Sequence, residues 1–252
     1  MRWLVTGADG MLGTDLVAVL REHGHDITAV TRRTADLTDP ASVRDLVRSH
    51  DVVVNCAAWT AVDDAETHEP EAFQANAAIP ETLARACGES GAWMVQVSTD
   101  YVFDGAARTP YPEDAKPCPS SAYGRTKAAG EEAVRAALPD RSYVVRTAWL
   151  YGAHGSCFPK TVARLVRERG TVAVVTDQVG QPTWTRDVAD LIVGLVGAGA
   201  PAGTYHATSS GECSWWELAR AVVASAGVDP EVVTPATSDS FPRPAPRPAY
   251  SV

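Results

Sequence analysis

The sequence lacks the features that mark disulfide-stapled, zinc-binding and membrane-spanning proteins. Its five cysteines are an odd number without a C-x-x-C pair, namely Cys56, Cys87, Cys118, Cys157 and Cys213. The longest apolar stretch, residues 191–200, is half of the roughly 20 residues that a bilayer-spanning helix needs. We therefore expect reduced thiols, no membrane partner and a cytoplasmic location.

Positive charge and aromatic side chains are also scarce. Lysine and arginine number 22 against 31 acidic residues, which gives a net charge of −9, and aromatic residues make up 7%. Such a chain offers no broad surface for neutralising phosphates, so we expect no nucleic-acid partner and a local site for any anionic ligand. Apolar residues at 45% over 252 positions suffice for a globular core in one or two domains.

Up to residue 150, short apolar runs alternate with helix-patterned segments. Strands are predicted at 3–6, 27–31, 52–54, 93–98 and 143–146, and helices at 11–22, 40–49, 70–87 and 122–137. This alternation is typical of right-handed βαβ units and of a parallel sheet that is covered on both faces. We therefore predict an α/β fold, with a Rossmann-type doubly wound parallel sheet in a cofactor-binding domain over residues 1–150.

Residues 151–252 follow a less regular pattern. Helices are predicted at 158–169, 185–196 and 215–226 and a strand at 204–207, while the proline-rich segment 104–121 is predicted to be an ordered loop. We expect residues 151–252 to form a smaller substrate-binding part that packs over the first, with some chain crossing between the two.

A glycine-rich turn follows the first predicted strand and opens the first helix. Gly7, Gly10 and Gly13 form G-x-x-G-x-x-G, in which glycine permits a tight turn and lets the backbone approach a pyrophosphate at a helix N-terminus. The alternative is a tight turn without a ligand. The position of the motif favours a dinucleotide site, formed by the three glycines together with Met11 and Leu12.

The residues after the second and third strands extend this predicted site. Arg32 stands where a site that prefers NADH would place a carboxylate for the ribose hydroxyls, and arginine accepts a 2′-phosphate. We therefore expect NADPH, with NADH as the alternative. The other predicted cofactor contacts are Asp36, Leu37, Cys56, Ala57 and Ala58.

A phenol and an ammonium share one helix face in the segment Tyr123-Gly124-Arg125-Thr126-Lys127. A tyrosine with an ordinary pKa near 10 donates its proton poorly at neutral pH until a nearby cation stabilises the phenolate, which Lys127 can do. Thr99, at the end of the fourth strand, supplies a hydroxyl for hydrogen bonding to a reacting carbonyl. These three residues are the predicted catalytic group.

Longer strings of residues carry a resemblance to a known family. They are Ala57-Ala58-Trp59-Thr60-Ala61-Val62-Asp63, Ser98-Thr99-Asp100-Tyr101-Val102-Phe103, Arg146-Thr147-Ala148-Trp149-Leu150-Tyr151-Gly152, Asp177-Gln178-Val179-Gly180-Gln181-Pro182-Thr183 and Gly203-Thr204-Tyr205-His206. With the motifs above, they make the chain similar to the dTDP-4-dehydrorhamnose and dTDP-4-keto-6-deoxyhexose reductases, within the extended short-chain dehydrogenase/reductase superfamily. The resemblance covers essentially the whole chain.

The resemblance implies an enzyme that uses NADPH to reduce the C4 ketone of a dTDP-4-keto-6-deoxyhexose in deoxysugar biosynthesis. Tyr123 would protonate the developing alkoxide, Lys127 would lower the pKa of Tyr123 and hold the nicotinamide ribose, and Thr99 would polarise the ketone. Thr60, Tyr123 and Lys127 would join the cofactor contacts. Thr99, Tyr123 and three further residues would line the sugar site, namely Asp100, Tyr101 and Trp149.

The sequence departs from this family at several positions. Cys157 replaces an asparagine of many relatives, so a hydrogen bond to substrate is expected to be missing. Some relatives dimerise through acidic residues and magnesium; Asp15 matches one such acid, but Arg186 replaces another, so we expect no metal and either a monomer or a homodimer. Relatives continue beyond an Arg-Pro-x-x-Ser-x-Leu motif that starts here at Arg247, and we expect the chain to be a C-terminally trimmed form of a longer protein.

Two other functions belong to the same superfamily. A nucleotide-sugar dehydratase or epimerase is disfavoured because dehydratases typically show Thr-Asp-Glu where this chain has Thr99-Asp100-Tyr101. The intact set of Thr99, Tyr123 and Lys127 argues against a non-enzymatic regulatory subunit of the methionine adenosyltransferase type. Elsewhere, we expect residues 63–66 to form a solvated turn and His206 to be a structural histidine with satisfied hydrogen bonds.

Overall fold

The computed structural model describes residues 1–252. Its strands are β1 (Arg2–Thr6), β2 (Asp26–Val30), β3 (Val52–Asn55), β4 (Trp93–Thr99), β5 (Ser142–Thr147), β6 (Leu150–Tyr151), β7 (Val172–Val175), β8 (Val179–Gly180), β9 (Thr183–Trp184), β10 (Gly203–His206), β11 (Cys213–Ser214) and β12 (Val233–Ala236). Its α-helices are α1 (Met11–Glu22), α2 (Pro40–Val47), α3 (Glu69–Phe73), α4 (Ile79–Ser90), α5 (Ala122–Ala137), α6 (Phe158–Arg169), α7 (Thr185–Gly197) and α8 (Trp215–Ser225).

A six-stranded parallel sheet organises the molecule, in the order β10-β5-β4-β3-β1-β2. From β1 the chain moves to β2 on one side and then returns to β3 on the other, so the strand order reverses between β1 and β3. In open parallel sheets, ligands bind outside the carboxyl ends of the strands at such a reversal. The predicted fold class is therefore confirmed, and the predicted site residues follow the strands at this edge.

Both faces of the sheet are buried, as the continuously apolar strands predict. On one face, α1 packs against α7 around Leu16, Val188 and Ile192. On the other face, α2, α4 and α5 cover β3 and β4 around Leu83 and Met94. The sheet is thus held from two sides, which fixes the positions of its strand ends.

A smaller core forms between α6, α8 and the parallel pair of β7 and β12. Its buried members are Val162, Val166, Val174, Ala219, Val223 and Val233. The chain also crosses back from this part, because β10 pairs with β5 and α7 packs on α1. The domain boundary at residue 150 stays a prediction.

The predicted helix over residues 70–87 is divided into α3, a π-helical turn at Gln74–Ala78, and α4. Pro80 stands in the first turn of α4 and has no N–H to donate, which disrupts the α-helical hydrogen-bond series. The turn lies against α5, where a Cβ at Gly130 would approach the Asn76 carbonyl oxygen to 2.0 Å. None of the helices combines the length and the apolar character that crossing a membrane requires.

Candidate active site

The turn after β1 is built from glycines because neighbouring backbone leaves no room for side chains. Gly7 has a positive φ of 63°, and a Cβ there would lie 2.7 Å from the Ala57 nitrogen, just after β3. A Cβ at Gly13 would lie 2.2 Å from the Gly7 carbonyl oxygen. The turn therefore packs directly on the segment that follows β3, where Cys56, Ala57 and Ala58 are predicted to contact the cofactor.

Helix α1 begins at Met11 with Gly10 as its N-cap, and no side chain caps it. Its first-turn N–H groups, which belong to the predicted contacts Met11, Leu12 and Gly13, have no partner within the helix. Unpaired N–H groups at a helix N-terminus bind phosphate oxygens. The fit of this turn to a pyrophosphate therefore follows from its backbone rather than from a charged side chain.

Substitution at Gly13 tests this role of the turn. We expect Gly13→Ala to raise the Kd for NADPH at least tenfold, because the new Cβ displaces the Gly7 carbonyl and with it the phosphate-binding backbone. Gly194→Ala is the matched control, since a Cβ in that part of α7 meets no atom within 4 Å. Fluorescence titration with NADPH measures the effect, and wild-type affinity in Gly13→Ala would refute the proposed role.

Arg32 lies just beyond β2 and is exposed, as is Arg33. Neither guanidinium forms an ion pair, so both are available to a phosphate group. The carboxylate of Asp36 accepts hydrogen bonds from the Thr38 N–H and hydroxyl, which fixes the turn that leads towards α2. Leu37 packs on the core, and Thr60 is exposed in the segment after β3.

Tyr123 and Lys127 project from the first turns of α5, next to the end of β4. The N-cap Ser121 accepts a hydrogen bond from the Gly124 N–H, which begins the helix there. A Cβ at Gly124 would lie 2.2 Å from the Tyr101 carbonyl oxygen, so only glycine permits this approach to the turn after β4. The close approach brings the Tyr123 side chain next to Thr99.

Burial dominates the electrostatics of the predicted catalytic residues Tyr123 and Lys127. Burial raises the pKa of Tyr123 to about 12, and the nearby Thr99 side chain opposes this rise. Lys127 donates from Nζ to the Val97 carbonyl at 2.6 Å, and burial lowers its pKa to about 8. The ammonium is thus engaged with β4, and the roles of Lys127 and Thr99 at Tyr123 stay predictions.

The buried ammonium of Lys127 should make the stability of the protein depend on pH. Between a folded-state pKa of about 8 and the unfolded value near 10.4, the unfolded chain binds more protons at this position than the folded chain does. The free energy of unfolding should therefore rise by on the order of 3 kcal/mol from this group as pH increases through that window, and this gain is absent below it.

Urea denaturation of the protein at pH 7.5 and pH 10 measures this effect against two variants. Lys127→Met should lose this part of the rise with pH, because it carries no proton in either state. Lys116→Met, which alters an exposed loop residue, should keep the rise of the wild type. An identical pH dependence in Lys127→Met and Lys116→Met would contradict the assignment.

The predicted sugar-site residues occupy three different environments. Asp100 is buried, its Oδ1 accepts a hydrogen bond from Thr99 at 2.9 Å, and burial raises its pKa to about 6. Tyr101 packs edge-on against Tyr123 with ring centroids 5.6 Å apart. Trp149 is the one non-glycine residue with positive φ, at 47°. These assignments stay predictions, although Tyr101 shares the surroundings of Tyr123.

The strained backbone at Trp149 is held by its neighbours. Its ring stacks on Trp215 with centroids 3.4 Å apart, and a Cβ at Gly180 would lie 2.5 Å from the indole. Such outliers persist only where the surroundings fix them, and they cluster at functional sites. Cys157, which replaces an asparagine of many relatives, is the N-cap of α6, and its side chain makes no capping hydrogen bond.

The structure contains a buried ion pair that the sequence did not predict. Glu131 of α5 and Arg146 of β5 form two hydrogen bonds of 2.9 and 2.7 Å, and the Ser98 hydroxyl donates to Glu131 at 2.6 Å. Both side chains are almost wholly buried. Together they tie the helix of Tyr123 to the strand of Thr99. A glutamate eight residues after the tyrosine on the same helix was the available signal.

Asn76 is a second residue that the sequence analysis missed. Its amide accepts from the Trp59 N–H at 2.9 Å and donates to the Trp59 carbonyl at 3.1 Å. It also donates to Thr126 in α5 at 3.0 Å. The π-helical turn thus connects the segment after β3 to the catalytic helix.

Two minor expectations were wrong. Residues 63–66 are not simply a solvated turn, because Glu66 accepts from the Ala122 N–H at 2.8 Å and Asp63 pairs with Arg247 at 2.8 Å. These contacts anchor the start of α5 and the C-terminal segment around Arg247. His206 is not a satisfied histidine, because its buried Nε2 has no hydrogen-bond partner.

The acidic position Asp15 accepts a hydrogen bond from the Thr185 hydroxyl. The next residue, Arg186, pairs with Glu22 and, at 3.3 Å, with Asp190. Arg186 is thus neutralised by carboxylates within the same chain. The expected absence of a metal stays a prediction.

Comparison with known proteins agrees with this geometry. A dTDP-4-dehydrorhamnose reductase of Streptomyces griseus is 51% identical over 100% of this chain and 84% of its own length. A dTDP-4-keto-6-deoxy-D-glucose reductase of Streptomyces niveus is 50% identical over 100% of this chain and 88% of its own.

Solved structures give the same result. A dTDP-4-dehydrorhamnose reductase from Clostridium acetobutylicum superposes with a TM-score of 0.96 at 42% identity, covering 100% of this chain and 89% of its own. The Bacillus anthracis reductase in complex with NADP has a TM-score of 0.94 at 37% identity and covers 99% and 89%. The family described as RmlD substrate binding domain matches residues 1–252, and the chain belongs to this family.

Proposed function

We propose that the protein reduces the C4 ketone of a dTDP-linked 4-keto-6-deoxyhexose with NADPH. The observation that carries the proposal is the position of Tyr123 beside Thr99, at the carboxyl edge of the sheet and on the same edge as the uncapped phosphate turn. The names of the relatives from Streptomyces griseus and Streptomyces niveus support the substrate class.

The residues of the site divide the chemical work. Thr99 and Tyr123 present hydroxyl groups at which the ketone oxygen can be hydrogen-bonded, and Tyr123 donates its proton to that oxygen as negative charge develops. Lys127 places a buried positive charge beside the third strand's end, near Cys56. The net reaction converts the ketone, NADPH and one proton into the alcohol and NADP⁺.

The chain's residues fit NADPH. Bound NADPH supplies the hydride for the ketone carbon. Helix α1 offers its unpaired N–H groups to the pyrophosphate, and Arg32 offers an unpaired guanidinium to the 2′-phosphate. Burial raises the pKa of the Cys56 thiol to about 12, so this side chain presents a neutral surface beside the cofactor contacts. The NADP complex of the Bacillus anthracis relative supports this choice.

The dehydratase or epimerase alternative is not favoured. The residue after Asp100 is Tyr101, which has no carboxyl group for the acid–base chemistry of a dehydratase. Burial also raises the pKa of its phenol above the usual range. The expectations of a monomer or homodimer, of no nucleic-acid partner and of a cytoplasmic location stay predictions.

A product assay tests the proposal. The protein is incubated with NADPH or NADH and a dTDP-4-keto-6-deoxyhexose, with and without C3/C5 epimerisation, and the products are identified by NMR. We expect oxidation of NADPH with formation of a C4 alcohol. Cofactor consumption without a C4 alcohol, or no consumption with any of these sugars, would overturn the proposal. UDP-glucose serves as the control substrate for epimerase chemistry.

A further inference from the structure

Residues 245–252 form a segment that pairs through its backbone with β8. The Val179 N–H donates to the Ala249 carbonyl at 2.9 Å, and the Ser251 N–H donates to the Val179 carbonyl at 3.0 Å. The pairing is parallel. The two hydrogen bonds therefore fix the position of β8 relative to segment 245–252.

Strand β8 in turn supports one of the predicted sugar-site residues. Gly180, the second residue of β8, lies so close to Trp149 that a Cβ there would come within 2.5 Å of the indole. On its other contact the indole stacks on Trp215, with ring centroids 3.4 Å apart. Any displacement of β8 therefore acts on the position of Trp149.

The same segment reaches the other predicted sugar-site residues. Ser251 is buried, its side chain lies within reach of the Asp100 carboxylate, and both residues line one half-open pocket. Arg247 lies close enough to Tyr101 for its positive charge to lower the pKa of that phenol, against the larger effect of burial. Segment 245–252 thus contacts residues on both sides of the predicted sugar site.

An ion pair fixes the start of the segment. The Arg247 guanidinium donates to Asp63 Oδ2 at 2.8 Å and to the Ala245 carbonyl at 3.1 Å, and the Ala245 N–H donates to Asp63 Oδ1 at 3.3 Å. The side chain of Arg247 is 21% exposed and that of Asp63 is 26% exposed. Three residues after Asp63, the carboxylate of Glu66 accepts from the Ala122 N–H at the start of α5. The ion pair therefore joins the segment to the beginning of the catalytic helix.

We propose that segment 245–252 holds the two sides of the sugar site at a fixed distance, and that Arg247, through its ion pair with Asp63, is a positioning residue for the reaction. The inference rests on the proposed ketone reduction and names the element that shapes its sugar site. Arg247 acts on the substrate through the positions of Tyr101 and Trp149. Such an effect is large enough to measure, because a misplacement of about 1 Å can lower a rate about 10²-fold.

Direct binding of the substrate diphosphate by arginine is the alternative, and it predicts a change of opposite sign. Arg243 lies 3.6 Å from the same carboxylate and is 59% exposed, so two guanidinium groups share Asp63. If these positive charges bound the diphosphate, removal of the carboxylate would free them and lower the KM for the sugar. If the ion pair holds the segment in place, removal of the carboxylate raises this KM.

Asp63→Asn and Arg247→Met each break the ion pair, and the asparagine keeps an oxygen for the Ala245 N–H. We expect both variants to raise the KM for a dTDP-4-keto-6-deoxyhexose about tenfold and to leave the Kd for NADPH within about twofold of wild type. The double variant should raise the KM no further than either single variant, because both remove the same link. Arg243→Met is the matched control and should keep the KM within about twofold, since its charge is exposed.

Hydrogen exchange measures the same link without the reaction. The N–H groups of Val179 and Ser251 form the pairing between β8 and the segment. Asp63→Asn and Arg247→Met should speed exchange at both N–H groups about tenfold, because loss of the ion pair favours local opening. Arg243→Met should leave the exchange rates unchanged.

The inference would be overturned by a lower KM in Asp63→Asn or by equal increases of KM in Arg243→Met and Arg247→Met. Wild-type exchange rates at Val179 and Ser251 in the ion-pair variants would also overturn it, as would a lower Tm with a wild-type KM, which indicates a structural role alone. A wild-type protein that reduces no dTDP-keto sugar would refute the proposed function. The exchange rates would then still decide whether the ion pair holds the segment against β8.

Discussion

Tyr123→Phe should lower kcat by about 10²–10⁴-fold, the range that a positioned general acid contributes. The variant keeps the ring and its edge-on contact with Tyr101, and it removes only the phenolic hydroxyl. Binding of NADPH should change little, because the phosphate turn and Arg32 lie on other elements. Steady-state rates with a dTDP-4-keto-6-deoxyhexose, together with cofactor titration, measure both quantities.

Tyr143→Phe is the control for the loss of a tyrosine hydroxyl. Its hydroxyl donates to the Ala200 carbonyl at 2.8 Å, and its ring stacks on Trp93, which begins β4 at the opposite edge of the sheet. We expect about 1 kcal/mol of lost stability and an unchanged kcat for this variant. A Tyr123→Phe enzyme with the kcat of Tyr143→Phe would show that another group donates the proton.

Glu131→Ala should destabilise the protein by about 3–5 kcal/mol, since it leaves the Arg146 guanidinium buried without its partner. The side chain of Arg146 is only 4% exposed and that of Glu131 is 0% exposed, so water cannot replace the lost hydrogen bonds. The variant should also lower kcat, because Glu131 joins α5 to Ser98, the residue before Thr99. Urea denaturation measures the stability.

The exposed pair of Glu81 and Arg85 provides the control for this experiment. These residues form an ion pair of 2.6 Å within one helix, but the side chain of Glu81 is 41% exposed and that of Arg85 is 68% exposed. Glu81→Ala should therefore cost only about 0.3–0.5 kcal/mol. Equal costs in Glu81→Ala and Glu131→Ala would refute the view that the buried pair holds the site together.

Local signals were sufficient to predict several elements of the fold. The bounds of α1, α5 and α6 agree with the prediction. An apolar helical pattern runs through each segment, and Gly10 precedes α1, the N-cap Ser121 precedes α5 and Gly170 follows α6. The parallel sheet followed from the alternation of elements. The short strands β6, β8, β9 and β11 were missed, since two residues carry no periodic pattern.

The parts of the site that depend on distant residues could not be read from the sequence. Asn76 joins Trp59 to Thr126, and Glu131 joins Ser98 to Arg146, through contacts between different elements. The engagement of Lys127 with the Val97 carbonyl likewise depends on how α5 packs against β4. The predicted residue types at the site were sufficient to propose a reaction, but not to predict the contacts that hold these residues in place.

Transfer of a deuterium label from the cofactor to the sugar tests the central claim most directly. The protein is incubated with a dTDP-4-keto-6-deoxyhexose and NADPH that is deuterated at C4 of the nicotinamide, with each face labelled in turn, and the product is examined by NMR. The account predicts that one of the two labelled cofactors delivers deuterium to C4 of the sugar, and that Tyr123→Phe slows this transfer. A C4 alcohol without deuterium from either cofactor, or no alcohol at all, would contradict it.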